Sequence, residues 1–452
     1  MTKSSMNWWG RFLFRDRGIL PTKKLILLML VVSLSLFVAS FFGITWTFII
    51  LCNAVVLFAT FLDLFLSPNK RQLSFERVLP QEMERDITYE VELKIENHSD
   101  KAIKFRFKDD LPQSFKRPFP YYGTAEKDRA TIVTYETAAP VRGEYTINQL
   151  YFRYRSTLGL WEKQKTVNME KTVKVIPDLT ETKEYLENAQ KFLLHEGVKI
   201  KKQNSSVGEF AKVRNYVVGD DPRKINWRQT AKLQEVMTNE YEPEHGKHIT
   251  LLIDCGRMMG VELKRGNRLD KSLEAAIAVA AAALKKGDYV AVLAFSKGTK
   301  VYVPPGKGME HLQTILKAVY NLKADAAESN YGVVLNYLQT VQKKRSLLLL
   351  FSDVKTFLHE ESALAYLRRL RQRHVFLMIG IEDEELRKQI KKQPSDMQST
   401  MVKSIAQQQM VFKKREKNRW EKQGLQMIEA KEENLAVTAI SNYIDIINRG
   451  LL

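Results

Sequence analysis

The sequence predicts a multidomain membrane protein: a two-helix transmembrane hairpin, then a small β-sandwich, then a doubly wound α/β domain. Three observations predict it. Residues 25–66 are almost uniformly apolar. Residues 72–177 alternate apolar and polar side chains. From Ile249 onward, wholly apolar runs alternate with helical segments rich in alanine and leucine.

The apolar region comes first. Leu25–Phe42 carries no charge, Gly43-Ile44-Thr45-Trp46 interrupts it, and Thr47–Leu66 carries a single charge, Asp63. One spanning helix needs about 20 apolar residues, so the length fits two helices and a short turn. A buried hairpin of a soluble domain would show a polar face, and neither segment has one. Asp63 lies close enough to the helix end to snorkel. The 1–24 tail holds Lys3, Arg11, Arg15, Arg17, Lys23 and Lys24 against Asp16, and Lys70 and Arg71 follow the second helix. Basic residues stay cytoplasmic, so both termini and the soluble domains are expected there. The apolar region is too long for a signal peptide, and no small-residue cleavage site follows it.

Composition narrows the class. Cys52 and Cys255 are the two cysteines, too few for a disulfide framework and consistent with a reducing compartment. The net charge of +19 suits a surface lying against an anionic inner leaflet. No nucleic-acid-binding signature accompanies it. No Walker A motif and no Gly-x-Ser-x-Gly is present, so ATP hydrolysis by this chain is not expected.

In residues 72–177, Ile87, Tyr89, Val91, Leu93 and Ile95 alternate with Thr88, Glu90, Glu92, Lys94 and Glu96. A period of two means one buried and one wet face. Asn97-His98-Ser99-Asp100 reads as a turn, and Ile103, Phe105 and Phe107 alternate again. Further strands are expected at Ala130–Glu136, Glu144–Arg155, Thr166–Asn168 and Thr172–Ile176, punctuated by Pro140, Gly143, Gly159 and Pro177. Short strands with regular turns suggest a small immunoglobulin-like sandwich.

Residues 178–247 form a connector, with a helix expected over Thr180–His195. Residues 248–452 have strand–helix rhythm. Expected strands are Ile249–Asp254, Val290–Phe295, Ser346–Phe351, Val375–Ile381 and Gln426–Glu429. Expected helices include Leu269–Lys286, Met309–Tyr320, Val333–Gln342, Glu360–Arg373 and Asn434–Asn448. Fully apolar strands alternating with helices mean a parallel sheet covered on both faces. Residues 382–424, charged and helical in character, read as an insertion.

Two constellations carry candidate chemistry. Asp254 and Asp353 follow strands whose carboxyl ends form the ligand crevice of an open α/β sheet. Acids there, with nearby hydroxyls, suit a hard divalent cation. The arrangement resembles a von Willebrand A domain and its metal-dependent adhesion site. Here Asp254-Cys255-Gly256-Arg257-Met258 puts Gly256 and Met258 where that site has serines, and Ser329 stands for its threonine. Asp254, Ser329 and Asp353 therefore make a degenerate Mg²⁺ site, and no other cofactor is expected. The other use for Asp254 is to cap loop or helix amides. His245-x-x-His248 has no third ligand nearby in sequence and reads as inert.

The second constellation is Gly208-Glu209-Phe210, Arg214, Tyr216, Gly219-Asp220-Asp221, Arg223, Ile225-Asn226-Trp227 and Thr230-Ala231. Acids and arginines this close in sequence can form a bidentate network, with Trp227 as a buried anchor. The set either staples the connector to the α/β domain or docks a partner. In this order, ahead of an A-like domain, these residues resemble a family of bacterial membrane proteins. It is the family numbered fifty-eight among domains of unknown function, associated with MoxR ATPases. Arg142-Gly143, Leu158-Gly159-Leu160-Trp161 and Val175-Ile176-Pro177 extend the resemblance over nearly the whole chain, while Asn226 departs from an Asp common before the Trp. The resemblance implies partnership with a MoxR-type AAA+ ATPase and other A-domain proteins. The expected function is a non-enzymatic membrane adaptor; the alternative is a metal-dependent enzyme or adhesion domain using Asp254 and Asp353.

Overall fold

The computed structural model describes residues 18–43, 45–180, 182–184, 187, 209–242 and 246–452. The helix expected over Thr180–His195 lies largely outside them, as do Gly208 and His245. The chain divides into two compact units, Met1–Ile176 and Pro177–Leu452.

The first unit begins with β1 (Ile19–Pro21), α1 (Lys23–Ser40) and α2 (Trp46–Leu66). Both helices are long and apolar enough to cross a membrane. Their apolar side chains, among them Ile26, Phe37, Phe58 and Phe65, are exposed. A helix satisfies its own backbone, so such a surface is compatible with acyl chains.

The β strands form two sheets. The smaller is antiparallel, ordered β2 (Leu73–Val78), β4 (Thr88–Asn97) and β7 (Arg129–Ala138). The larger is ordered β1, β9 (Trp161–Ile176), β8 (Gly143–Arg155), β5 (Ile103–Asp109) and β6 (Tyr121–Ala125), with β3 (Glu82–Glu84) parallel to the end of β9. The alternation read from the sequence sets the inward face: Val91, Leu93 and Ile95 meet Phe105, Phe107, Phe152 and Val173 in one core. The two strands expected at Thr166–Asn168 and Thr172–Ile176 are one, because β8 pairs with β9 along its length and absorbs a register shift between Ile147 and Gln149. Deep in this core Arg77 and Asp109 pair at 2.5 Å, with side chains 2% and 1% exposed. Tyr135 donates its hydroxyl to the same carboxylate at 2.6 Å.

Asp63 does not snorkel to water. It is 1% exposed and accepts from the Ser156 hydroxyl at 2.5 Å, Leu158 N at 2.8 Å and Leu160 N at 3.2 Å. The turn 156–161 supplies amides that the helix end cannot, which compensates the buried charge. Trp161 Nε1 donates to Thr60 O at 2.9 Å, and Thr22, the N-cap of α1, donates its hydroxyl to Gly159 O at 2.7 Å. The helix ends and the β turn are thus one hydrogen-bonded assembly. Lys101 adds a bond to Leu66 O at 2.8 Å, satisfying a carbonyl orphaned at the end of α2.

The second unit opens with a hairpin, β10 (Glu209–Asn215) and β11 (Met237–Glu242), connected through a segment holding the short helix α3 (Trp227–Leu233). Then come β12 (His248–Asp254), α4 (Arg268–Lys286), β13 (Tyr289–Phe295), β14 (Thr299–Gly306), α5 (Met309–Val319) and α6 (Tyr331–Val341). Next are β15 (Ser346–Phe351), α7 (Val354–Leu358), α8 (Glu361–Arg371), β16 (Val375–Ile381), α9 (Glu384–Lys391), α10 (Met397–Glu421), β17 (Gln426–Ala430) and α11 (Leu435–Asn448). The sheet order is β14-β13-β12-β15-β16-β17. All neighbours are parallel except β14, an antiparallel edge. Its Pro304-Pro305 pair fits an edge position and conceals the strand from a search for apolar runs. Leu251 and Ile253 face α4, α5 and α11; Leu252 faces α6, α7, α8 and α10. Burial on both faces is why these strands read as continuous apolar runs.

Two histidines lie at strand starts of this sheet. His374 is buried, with Nδ1 lacking a hydrogen-bond partner, and burial lowers its pKa. His248 stacks on Tyr289 at 4.8 Å and is lowered for the same reason. An unfolded chain takes up these protons near pH ~6.5, while the folded chain resists them. The unfolded state then binds more protons, so stability falls as pH drops below that value. Thermal melting from pH 7.5 to 5 should show this decline, and His374→Phe should flatten it.

Candidate functional site

The carboxyl ends of β12 and β15 bring together Asp254, Ser352 and Asp353. Asp254 is 3% exposed. Its Oδ1 accepts from Gly256 N at 2.8 Å and from the Ser329 hydroxyl. Its Oδ2 accepts from the Tyr331 hydroxyl at 2.8 Å and from the Ser352 hydroxyl. Ser329 and Tyr331 come from the loop that starts α6, Ser352 from the end of β15. Burial, and then the charge of Asp254, push the Tyr331 hydroxyl well above its ordinary pKa, so it remains a donor.

Asp353 is the N-cap of α7. It accepts from Thr356 N at 2.9 Å and Thr356 Oγ1 at 2.8 Å. Its other oxygen takes the buried guanidinium of Arg268 at 2.5 Å. Arg268 opens α4, where a positive charge opposes the helix dipole. The pairing with Asp353 offsets that cost. Neither Tyr331 nor Arg268 stood out as a site residue in the sequence. Tyr331 lay within the Ser329 segment, whereas Arg268 is 85 positions from its partner and left no local signal.

This donor set does not fit a divalent cation. The lone pairs a metal would need on Asp254 are taken by four donors, and Asp353 has a fixed cation already. The expected site at Asp254, Ser329 and Asp353 is therefore a closed hydrogen-bond network. Among the described residues no cluster of three or more His, Cys, Asp or Glu is placed to hold a metal. Gly256 contributes by its lack of a side chain: a Cβ there would lie 2.2 Å from Ser329 Oγ. A cavity of about 300 Å³ opens beside Asp353, walled by Leu358, His359, Asp383 and Phe412 of the insertion helix.

The second constellation sits in the hairpin. Arg214 Nη1 and Nη2 reach the two oxygens of Asp220, both at 2.8 Å. The Arg214 hydrogen bond, followed by the Val217 amide, lowers the Asp220 pKa. Tyr216 donates its hydroxyl to Asp220 O at 3.1 Å, and Gly219 takes φ +112° in the turn between. Asp221 and Arg223 do not join this pair; Asp221 accepts from Arg223 N at 3.0 Å and starts a 3-10 turn. Asn226 caps α3 and donates to Asn239 Oδ1 at 2.8 Å. Thr230 accepts from Met237 N at 2.9 Å. Trp227 is no buried anchor. It is 70% exposed, at the first position of α3 after the Asn226 cap. Val217 and Val218 are exposed in the same loop region, Val218 at 96%. The backbone of Glu209 and Phe210 pairs with β11.

These geometries set a mutational order in which Asp254 matters more than Asp221. Asp254→Ala strands the buried Ser329 hydroxyl and leaves those of Tyr331 and Ser352 only each other, at about 1–3 kcal/mol for each group left unsatisfied. Asp221→Ala removes one exposed cap. Thermal melting of the detergent-solubilised chain should show a large drop for Asp254→Ala and little change for Asp221→Ala. Gly256→Ser restores a metal-site serine in name only. It should lower the melting temperature, and titration calorimetry should detect no Mg²⁺ binding.

Comparison with known proteins finds similarity over parts of the chain. An uncharacterised protein, YeaD, of Bacillus subtilis (strain 168) is 25% identical over 211 residues, 46% of this chain and 49% of its own. The chain thus spans about half the length of that curated relative. Among solved structures, the conserved hypothetical protein BatB from Bacteroides thetaiotaomicron aligns at 12% identity over 45% of this chain and 100% of its own, with a TM-score of 0.30. A PapD-like domain of human CEP192 aligns at 14% identity over 23% of this chain and 85% of its own, with a TM-score of 0.18. The family model described as protein of unknown function DUF58 matches residues 212–420, from within β10 to Trp420 of α10.

Proposed function

We propose that the chain is a non-enzymatic adaptor held in the bacterial cytoplasmic membrane by the α1–α2 hairpin, working with a MoxR-type AAA+ ATPase and other A-domain proteins. On this reading the second unit is a von Willebrand A-like domain, the first an immunoglobulin-like sandwich, and both termini are cytoplasmic. The observation that carries the reading is the exposure of Trp227, Val217 and Val218 in the segment joining β10 to β11, which the Arg214–Asp220 fork ties to β10. Tryptophan exposed on a preorganised scaffold is a typical interface anchor. The strand-end network supports the same reading. Its carboxylates are consumed in holding loops together, which leaves a shaped surface and the cavity near Phe412 for a partner.

The test is recovery of the ATPase by crosslinking and pull-down from detergent, with the ATPase co-expressed. The intact chain should recover it. Trp227→Ala should lose it without a change in melting temperature, since an exposed side chain contributes little to stability, typically within about 0.5 kcal/mol. Failure of the intact chain to recover any AAA+ protein, or equal recovery by the variant, sinks this assignment.

A further inference from the structure

We propose that the outward face of the larger sheet in the first unit binds the phosphate headgroup of an anionic phospholipid. The strand alternation that buries Phe105, Phe107, Phe152 and Tyr154 turns Lys104, Arg106, Arg153 and Arg155 outward. These four cations, with Tyr122 and Glu162, line a cavity of about 350 Å³. A neighbouring cavity of about 520 Å³ shares Arg106 and Arg153 and adds Lys108, Arg117 and Tyr151.

The charge arrangement is costly without a ligand. Arg106 and Arg153 stand directly opposite each other in the β5–β8 register, and like charges so placed destabilise a sheet. Glu162, the acid lining the first cavity, is shared by Arg106 at 2.7 Å and Arg155 at 3.4 Å, and Asp110 lines the second. Arg153 Nε has only the neutral Gln164, at 2.9 Å. Arg106 Nε is buried with no hydrogen-bond partner. Asp109, nearby in sequence, is turned inward to Arg77. Guanidinium groups left this way suit a phosphate, which they grip bidentately.

The position selects a lipid. Strand β8 ends at Arg155, and the next residue, Ser156, donates to Asp63 at the end of α2. Arg153 is three residues from Ser156, roughly 10 Å at ~3.3 Å per residue. The headgroup layer is roughly 5–8 Å deep on each side of the hydrocarbon core. Leu158, at the tip of the turn, is exposed beside the helix ends, as suits an interfacial apolar residue. Lys104, Arg106, Arg153 and Arg155 therefore lie at or just beyond headgroup depth, provided that α1 and α2 lie in a bilayer, the reading on which this proposal rests.

The experiment is native mass spectrometry of the full chain in neutral detergent, titrated with dioctanoyl phosphatidylglycerol or dioctanoyl phosphatidylcholine. We expect saturable binding of the glycerol lipid, roughly tenfold tighter than the choline lipid, the effect of one to two cations at a lipid surface. Arg106→Gln with Arg153→Gln should abolish the preference in a chain that still folds. Should that pair fail to fold, Lys104→Gln with Arg155→Gln, both exposed, provides the same test. Equal binding of the two lipids, or a preference retained in the folded variant, overturns the proposal. So does tighter binding of inorganic phosphate or a short oligothymidylate, which assigns the face to a soluble anion. Alkaline carbonate extraction tests the hairpin separately: release of the chain from membranes removes the bilayer reading whatever the lipid titration shows.

Discussion

A carboxylate taken out of water must be surrounded by donors, and this constraint organises both units. Asp63, Asp109, Asp254 and Asp353 are all buried, and each takes at least one donor from a segment distant in sequence. Asp288 behaves alike, accepting from Lys247 N at 2.9 Å and the Tyr443 hydroxyl at 2.6 Å. An unpaired ion in such surroundings costs several kcal/mol even after relaxation, by about the same logic that makes one-sided deletions of buried pairs severe. The elements that supply donors are therefore held in place by the acids they satisfy. In the first unit this joins the apolar helices to the β turn. In the second it joins the loops after β12 and β15 to the connection between α5 and α6.

The strand-end network bears directly on what the second unit does. A divalent cation in an open α/β sheet needs carboxylate oxygens with free lone pairs. Here Tyr331, Ser329, Ser352 and a backbone amide take those of Asp254, and Arg268 supplies the positive charge at Asp353. The loops are locked without metal. Such loops are preorganised, and binding rewards preorganisation. The exposed tryptophan on the Arg214–Asp220 hairpin extends the same logic.

Positive charge is distributed with a pattern. Lys101 and Lys163 donate to backbone carbonyls at the end of α2. Burial, then the nearby Lys70 charge, lowers the Lys163 pKa. These cations are committed to structure. The outward arginines of β5 and β8 are only partly compensated.

The apolar hairpin, the alternating strands of the first unit and the parallel core of the second were legible in the sequence, because each depends on a period that a local window reveals. The Arg214–Asp220 fork was legible too, its partners being 6 residues apart. The edge strand β14, the single long β9 and the short β1, β3 and β6 were not. They are polar or interrupted by Gly and Pro, and pairing with a neighbour, not their own pattern, makes them strands. The chemical state of the site was equally hidden. Whether Asp254 and Asp353 are open ligands or closed acceptors depends on donors 75 to 98 positions away for Asp254 and 85 away for Asp353. The exposure of Trp227 and the burial of Asp63 were likewise settled only by what packs beside them. Composition and period are local properties, and so the sequence by itself determined the elements and their order; only the tertiary structure decided which buried polar group meets which partner, because that pairing is made across the fold.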